Sequence, residues 1–213
     1  MVTLVIFSII FYFLGSFPTS YLMGKKKYKI DILEIGSNHS GLSNIYKIST
    51  KKTILIILFI DVVIKGFLPT IFVVNFFYDM TPVCIFLIIG HNWSLFLRFK
   101  GGKGLTVSIG LLSGINFLLF ISLLSIFLFF WVIFRFKDSS LPWMFSFVLT
   151  SLIVTFDSLF YHFFSHSIFM LSNYLIILVT ILLLFRRILG NGEYNIYNWK
   201  IIFNRLLFDR DKI

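Results

Sequence analysis

Charged residues are scarce in this chain, and cysteine is almost absent. Only 13% of its 213 residues are Asp, Glu, Lys or Arg, whereas 58% are hydrophobic. Because a soluble domain carries about 25% charged residues, this composition excludes an ordinary soluble domain and indicates an integral membrane protein. The single cysteine, Cys84, cannot form an internal disulfide, and we expect a small buried apolar residue there.

Common catalytic arrangements are also missing from the sequence. It has no G-x-S-x-G nucleophile elbow, no cysteine and histidine arrangement, and no paired carboxylates at a common site. Any reaction would therefore depend on positioning and electrostatics, with substrates that are already activated. No Pro-rich or Ser-rich linker and no internal repeat divides the chain, so residues 1–213 are predicted to form one domain.

Long hydrophobic runs predict an all-α bundle that crosses the membrane several times. Six runs are long enough to span, and the first lacks the features of a cleaved signal peptide, so we expect it to be retained. A seventh, shorter segment follows a glycine-rich loop and is expected to cross with help from its neighbours. The predicted spans are residues 2–23, 53–77, 82–98, 103–113, 117–135, 143–164 and 168–186.

Basic residues indicate the orientation of these spans. With seven spans and an outside N-terminus, the cytoplasmic regions are 24–52, 98–103, 135–142 and 186–213. They contain 18 of the 19 Lys and Arg residues, as the positive-inside rule requires. This asymmetry, together with attraction to anionic lipid headgroups, accounts for most of the net charge of +10, so no nucleic-acid partner is expected. The tail after Arg187 is predicted to form a short amphipathic helix on the inner surface.

Three polar residues inside the predicted spans are candidates for a functional role. Asp61 and Lys65 lie four residues apart in the second span and can form an ion pair on one helix face. Such a pair can support helix packing or contact substrate directly. His91 could carry a proton or bind a metal, but no second ligand accompanies it at helical spacing, so we favour a packed, hydrogen-bonded histidine and expect no metal site.

Two loop segments have the composition of a phosphate-binding site. Residues 36–47 combine glycines, hydroxyls and amides with a closing lysine, and residues 99–104 read Phe-Lys-Gly-Gly-Lys-Gly. Glycines allow backbone N–H groups to turn toward an anion, hydroxyls and amides donate hydrogen bonds, and lysine neutralises charge. At Gly102 we expect a close backbone approach and a positive φ. The first segment alone would also fit an ordinary loop, and the second makes the phosphate interpretation stronger.

Taken in order, these segments resemble the motifs of the bacterial membrane-bound glycerol-3-phosphate acyltransferases that use acyl phosphate, the PlsY family. Residues 15–21 resemble G-S-I-P-x-x-Y, and residues 36–47 resemble G-S-G-N-x-G-x-T-N-x-x-R. Residues 61–69 resemble D-x-x-K-G-x-x-P, with one additional residue before the lysine. Residues 90–104 resemble G-H-x-x-x followed by F-x-G-G-K-G.

This resemblance implies an enzyme of the bacterial plasma membrane that transfers an acyl chain from acyl phosphate to glycerol 3-phosphate. The product would be lysophosphatidic acid, formed with no cofactor, no protein nucleophile and no covalent enzyme intermediate. The residues expected to bind the phosphates and substrates are Ser37, Asn44, Lys47, Gly101, Gly102, Lys103 and Gly104. Those expected to support them are Asp61, Lys65, His91, Arg187 and Glu193.

The chain also departs from the family pattern. Asn38 and His39 stand where the family has glycine and asparagine, and Lys47 replaces an arginine, which loses a bidentate fork. Against the C-terminal signature H-x-x-N-I-x-R-L-x-x-G-x-E, the histidine falls on Ile181, the asparagine on Leu184 and the glycine on Asn191. A non-enzymatic or retargeted relative that binds lipid or polyol phosphates is therefore the alternative. A transporter is less favoured, because it would usually show paired repeats or broken helices.

Overall fold

The computed structural model describes residues 1–135, 139–161, 170–191 and 198–208. Every regular element in these ranges is helical, and none of the described residues lies in a strand. The α-helices are, in chain order, α1 (Val2–Ser16), α2 (Thr19–Met23), α3 (Leu42–Ile45), α4 (Lys51–Leu58), α5 (Leu68–Phe76), α6 (Ile85–Asn92), α7 (Leu105–Ile115), α8 (Phe117–Phe134), α9 (Ser140–Tyr161), α10 (Met170–Leu189) and α11 (Trp199–Phe208).

Short π and 3₁₀ stretches extend several of these helices into longer rods. In the described part of the chain, three such rods and helix α8 by itself are long and apolar enough to cross a membrane. They cover Val2–Tyr28, Lys51–Phe76, Tyr78–Leu97 and Phe117–Phe134. The first rod continues to Tyr28, past the expected end at residue 23. The all-helical membrane fold is thus confirmed, whereas the count of seven spans and the orientation of the termini stay predictions.

Local sequence signals explain where several helices begin and end. Pro18 lacks a backbone N–H and separates α1 from α2. The Thr50 side chain accepts a hydrogen bond from the Thr53 backbone N–H at the start of α4. Asn116 likewise accepts from the N–H groups of Leu118 and Leu119, and so caps α8 immediately after α7 ends. Asn116 is thus the one residue between α7 and α8.

Glycine contacts bring neighbouring helices close together around α7. A Cβ on Gly110 would lie 2.0 Å from the Val62 carbonyl oxygen, and one on Gly66 would lie 2.6 Å from the Val107 carbonyl oxygen. Only residues without a side chain allow this backbone approach, which is typical of membrane helix pairs. Helix α7 is therefore packed deeply against the second rod, with Val107, Leu111 and other side chains fully buried.

The second rod contains a π-helical stretch, Phe59–Phe67, at the segment that has one residue more than the family pattern. A π turn closes hydrogen bonds over five residues and so accommodates an additional residue without ending the helix. Asp61 and Lys65 lie within this stretch and still meet on one face. The π-helical stretch thus reconciles the longer motif with the predicted ion pair.

Helix α11 confirms that part of the tail is helical. Arg205 is buried, and its guanidinium donates to the carbonyl oxygens of Ile188 and Leu189 at 2.8 and 2.6 Å. These are carbonyls of the last turn of α10, which no residue within that helix can satisfy. The outer side of α11 carries Trp199 and Phe203, which are exposed. The location of this helix on the inner membrane surface stays a prediction.

Candidate active site

The glycine-rich loop, residues 99–104, folds tightly against the end of α6. The Gly102 N–H donates to the His91 carbonyl oxygen at 2.9 Å. A Cβ on Gly102 would lie 2.3 Å from Nε2 of the His91 imidazole, and one on Gly101 would lie 2.3 Å from the His91 carbonyl oxygen. The expected close approach is therefore present at Gly102. The expected positive φ is wrong for Gly102 and is found at Gly104 instead, with φ of 79°.

Lys103 lies at the point where this loop enters α7. Its side chain is buried, and Nζ lies 3.4 Å from the Ser43 hydroxyl of the other loop. Helix α7 begins two residues later, and the N–H groups of its first turn have no partner within the helix. A buried cation beside a helix N-terminus is an arrangement that favours an anion.

The second predicted loop, residues 36–47, is organised around the Asn44 amide. Asn44 Nδ2 donates to the carbonyl oxygens of Ile32, Ile35 and His39 at 2.6, 2.9 and 3.0 Å. Its Oδ1 accepts from the Ser37 N–H at 3.3 Å. All these hydrogen bonds of the Asn44 amide are made within the loop itself. The role that the structure supports for Asn44 is therefore to order the loop. A substrate contact from Asn44 stays a prediction.

His39 is a buried imidazole in this loop that the sequence analysis did not select. Its Nδ1 lies 2.6 Å from the Ser37 carbonyl oxygen, which can only accept, so the proton is on Nδ1. Nε2 is buried and has no hydrogen-bond partner among the described residues. Burial, with the positive charges of Lys103 and Arg186 nearby, lowers the pKa of His39 well below its usual value. The ring is therefore neutral, with a hydrogen-bond acceptor at Nε2.

The two loops meet, as the phosphate hypothesis requires. The Ser40 N–H donates to the Gly101 carbonyl oxygen at 3.3 Å, and Lys103 reaches Ser43. Gly41 faces Gly102 at ordinary contact distance, since a Cβ on Gly41 would lie 3.9 Å from the Gly102 Cα. Segments some 60 residues apart in the sequence thus lie against each other.

The end of α10 closes this site with Arg186, a residue that the sequence analysis passed over in favour of its neighbour Arg187. The Arg186 guanidinium donates to the carbonyl oxygens of Gly102, Gly101 and Gly190 at 3.0, 3.2 and 2.9 Å. Asn191 contacts both Arg186 and the two loops. The signal that could have indicated Arg186 was a second arginine at the cytoplasmic end of a predicted span.

A narrow apolar cleft, with a volume of about 20 Å³, opens beside Lys103, between α7, α9 and α10. Its polar end carries Lys103 and Arg187, and Arg187 Nε donates to the Arg205 carbonyl oxygen at 2.9 Å. The remaining lining residues are Leu105, Met144, Phe147, Thr180, Leu183 and Leu184. Two cations at one end of a largely apolar groove match the chemistry of an anionic head with a hydrocarbon tail.

Other predicted site residues do not join this cluster. Lys47 is exposed and makes no hydrogen bond or ion pair with any described residue. The Ser37 backbone is part of the loop, but no described contact involves its hydroxyl. Of the two residues that replace polar residues of the family signature, Ile181 is 57% exposed on the outer face of α10, whereas Leu184 lines the cleft. Glu193 lies outside the described residues.

The predicted ion pair is confirmed. Lys65 Nζ lies 2.6 Å from Asp61 Oδ1, and both side chains are 1% exposed. Lys65 also donates to the Phe17 carbonyl oxygen at 2.6 Å, and the Thr19 hydroxyl donates to Asp61 Oδ1 at 3.1 Å. The pair thus ties the second rod to the break between α1 and α2. His91 is buried as expected, but its imidazole makes no hydrogen bond to a described residue, and only its carbonyl oxygen is used.

These features define a helical membrane protein in which two glycine-containing loops pack against each other, with the buried Lys103 of one loop beside an apolar cleft. A family model described as glycerol-3-phosphate acyltransferase matches residues 5–191. The chain belongs to this family.

Curated relatives and solved structures agree with this assignment. The glycerol-3-phosphate acyltransferase of Staphylococcus haemolyticus (strain JCSC1435) is 34% identical over 149 residues, which are 65% of this chain and 72% of that protein. That of Macrococcus caseolyticus (strain JCSC5402) is 36% identical over 121 residues, or 56% and 62% of the two chains.

The crystal structure of PlsY, an integral membrane glycerol 3-phosphate acyltransferase, in its glycerol 3-phosphate form superposes with a TM-score of 0.73. The alignment covers 87% of this chain and 88% of that one at 21% identity. The lysophosphatidic acid form of PlsY gives a TM-score of 0.70 at 20% identity.

Proposed function

We propose that this protein transfers an acyl chain from acyl phosphate to glycerol 3-phosphate and forms lysophosphatidic acid for phospholipid synthesis. The observation that carries the proposal is the position of Lys103. It is buried at the start of α7, contacts the second loop through Ser43, and lies at the polar end of the apolar cleft. One cation thus adjoins both a hydrogen-bonding loop and a site for a hydrocarbon chain.

The cleft is the proposed site of the donor. The phosphate of an acyl phosphate would lie between Lys103 and Arg187, and the acyl chain would lie against side chains such as Phe147 and Leu183. A charge-assisted contact to phosphate is about twice as strong as a neutral hydrogen bond. The donor phosphate would therefore be fixed at the end of the cleft nearest the glycine-rich loop.

The acceptor is proposed to bind at the loop of residues 36–47. Its phosphate would be held by the Ser37 hydroxyl and by Lys47, and its glycerol hydroxyls would face the neutral His39 Nε2. An acceptor atom without a partner suits a polyol better than a second anion. Lys47 would have to approach the substrate from its exposed position.

The proposed reaction needs no covalent enzyme intermediate. A hydroxyl oxygen of glycerol 3-phosphate attacks the acyl carbon and forms the ester bond, while the bond from that carbon to the phosphate oxygen breaks. The hydroxyl proton leaves with the released phosphate. Because an acyl phosphate is a mixed anhydride with a good leaving group, positioning and charge stabilisation by Lys103 and Arg187 can supply the catalysis.

In the proposed topology, one domain crosses a bacterial plasma membrane seven times, with the N-terminus outside and the C-terminus in the cytoplasm. The positions of 18 basic residues support it. Helix α7 would be the shortest crossing, with 11 residues. Its close packing against the second rod offers the protein contacts that such a short crossing requires.

A second candidate function is phosphate binding without acyl transfer, or transfer to a different polyol phosphate. Leu184 favours it, because this apolar residue lines the cleft at the position of the family's asparagine. Ile181 is weaker evidence for this second function, because it lies away from the cleft and is largely exposed.

Product analysis separates the two candidates. Purified protein in lipid should convert acyl phosphate and glycerol 3-phosphate to lysophosphatidic acid, and acyl-CoA or free fatty acid should not replace the donor. Product from other polyol phosphates alone would indicate a retargeted enzyme. Binding of glycerol 3-phosphate without product from any donor or acceptor would indicate the non-enzymatic relative.

A further inference from the structure

The Gly101 carbonyl oxygen is the meeting point of three chain segments. It accepts from the Ser40 N–H at 3.3 Å, from Arg186 Nη2 at 3.2 Å and from Asn191 Nδ2 at 3.0 Å. The donors belong to the first loop, to α10 and to the segment after α10. A carbonyl with three donors fixes the peptide that it belongs to much more firmly than a single bond would.

Asn191 also links the glycine-rich loop to the loop of residues 36–47. The same Nδ2 that contacts Gly101 also donates to the Asn38 carbonyl oxygen at 2.8 Å. Its Oδ1 accepts from Arg186 Nη2, which orients the amide so that both N–H groups face the two loops. One amide thus fixes the distance between the loop of residues 36–47 and the glycine-rich loop.

The consequence for an anion is electrostatic. Arg186 and Asn191 bind the carbonyl oxygens of Gly101 and Gly102, and so turn the negative ends of these peptides toward α10. Carbonyl oxygens that faced the ligand would repel a phosphate. Holding them against Arg186 keeps these negative ends from facing an anion beside Lys103.

We propose that Asn191, oriented by Arg186, is a positioning residue that clamps the two phosphate-binding loops together. In the family signature a glycine stands at position 191, and another glycine stands at position 38, where this chain has an asparagine with φ of 56°. A glycine at 191 has no side chain to make the clamp. The clamp is therefore a property of this chain's own sequence, and only its kinetic consequence rests on the proposed function.

Two substitutions at position 191 test the clamp. Asn191→Ala removes all the side-chain contacts. Asn191→Asp keeps the size and the contact with Arg186, but replaces the donor with an oxygen that faces two carbonyl oxygens. A residue that served only to pack Arg186 would tolerate aspartate, whereas a clamp would not. Asn75→Ala is the matched control, because the Asn75 amide is exposed and contacts only Ile71 of its own helix.

Hydrogen–deuterium exchange measures the clamp without any need for activity. Both position-191 variants should raise amide exchange in residues 36–47 and 99–104 by about 30-fold, the effect of losing two ordinary hydrogen bonds. Exchange in α8 should not change, and Asn75→Ala should match wild type throughout. Unchanged exchange in the two loops in either position-191 variant would overturn the clamp.

Kinetics add the functional consequence. With active wild type, both variants should raise KM for glycerol 3-phosphate more than they lower kcat, because the loops still carry the same groups in a looser arrangement. An inactive wild type would refute the proposed function, and the exchange result would still decide on the clamp.

Discussion

The Lys65 ammonium group lies 2.6 Å from the Asp61 carboxylate, inside the π-helical stretch of the second rod. Removing one partner would leave the other charge buried, at a cost of about 3–5 kcal/mol. We predict that Lys65→Met strongly lowers thermal stability in detergent, and that the double variant Asp61→Leu/Lys65→Met is more stable than the single one.

Kinetics on the double variant separate the two roles that the sequence left open. An unchanged KM for both substrates would make the pair a support for helix packing. A large rise in KM with normal stability would make it a substrate contact. A double variant as unstable as Lys65→Met would contradict the assignment of a mutually neutralising pair.

Gly102→Ala tests the glycine-rich loop. The new Cβ would lie 2.3 Å from the His91 imidazole, so the ring or the loop must shift. We predict insertion into the membrane as for wild type, but binding of the phosphate substrates about 10-fold weaker, as expected for one charge-assisted contact. Gly41→Ala is the control, because its Cβ would make only an ordinary 3.9 Å contact with Gly102.

Adding His91→Ala to Gly102→Ala should restore part of the lost affinity, since the clashing ring is then gone. Unchanged affinity of Gly102→Ala for both glycerol 3-phosphate and acyl phosphate would remove this loop from the site.

The buried, neutral His39 should make the stability of the protein sensitive to acid. Its pKa in the folded protein is lowered by burial and by nearby Lys103 and Arg186, so below about pH 6.5 the unfolded chain gains a proton that the folded protein does not. The contribution of His39 to the free energy of unfolding should be fully present above about pH 6.5. It should fall by about 1.4 kcal/mol per pH unit below that pH, down to the pKa of His39 in the folded protein.

Thermal unfolding of wild type and His39→Asn between pH 7.5 and pH 5 measures this contribution. Asparagine cannot titrate and stands at this position in the family motif, so the variant should lose that part of the acid dependence. Parallel pH curves for the two proteins would contradict the neutral, buried assignment of His39.

The helices, the buried ion pair and the two loops could be predicted because they follow from composition and local residue spacing. Hydrophobic runs located the helices, and the i, i+4 spacing of Asp61 and Lys65 was enough to predict their contact. The two glycine-containing loops were also selected from their residue types. These predictions depend on local patterns, which one sequence contains.

Features that depend on tertiary contacts were missed. Arg186 was passed over because its position at the end of a predicted span does not show which groups its donors reach, here the carbonyls of Gly101 and Gly102, about 85 residues away. The positive φ was assigned to Gly102 and occurs at Gly104, because packing against His91 decides which glycine turns. The use of the Asn44 amide within its own loop was equally invisible in the sequence.

Cysteine-accessibility labelling tests the seven-span topology. Single cysteines at positions 27 and 212, in a Cys84→Ala background, should react only after the membrane is permeabilised, because both regions are predicted to be cytoplasmic. A cysteine at position 79, in the predicted outer turn, should react in intact cells. Labelling of position 27 or 212 from outside would refute this topology.

Lysophosphatidic acid formation by lysine variants tests the central claim most directly. Lys103 is buried between the cleft and the second loop, whereas Lys47 is exposed. Removing a charge-assisted contact costs about 1.5–3 kcal/mol, or roughly 10- to 150-fold in rate or affinity. With purified protein in lipid, Lys103→Ala should therefore lose more turnover than Lys47→Ala, and Lys47→Arg should equal or exceed wild type. Two results would contradict the proposed acyl transfer. One is a Lys103→Ala variant that turns over as fast as wild type. The other is a wild-type protein that makes no product from acyl phosphate with any polyol phosphate.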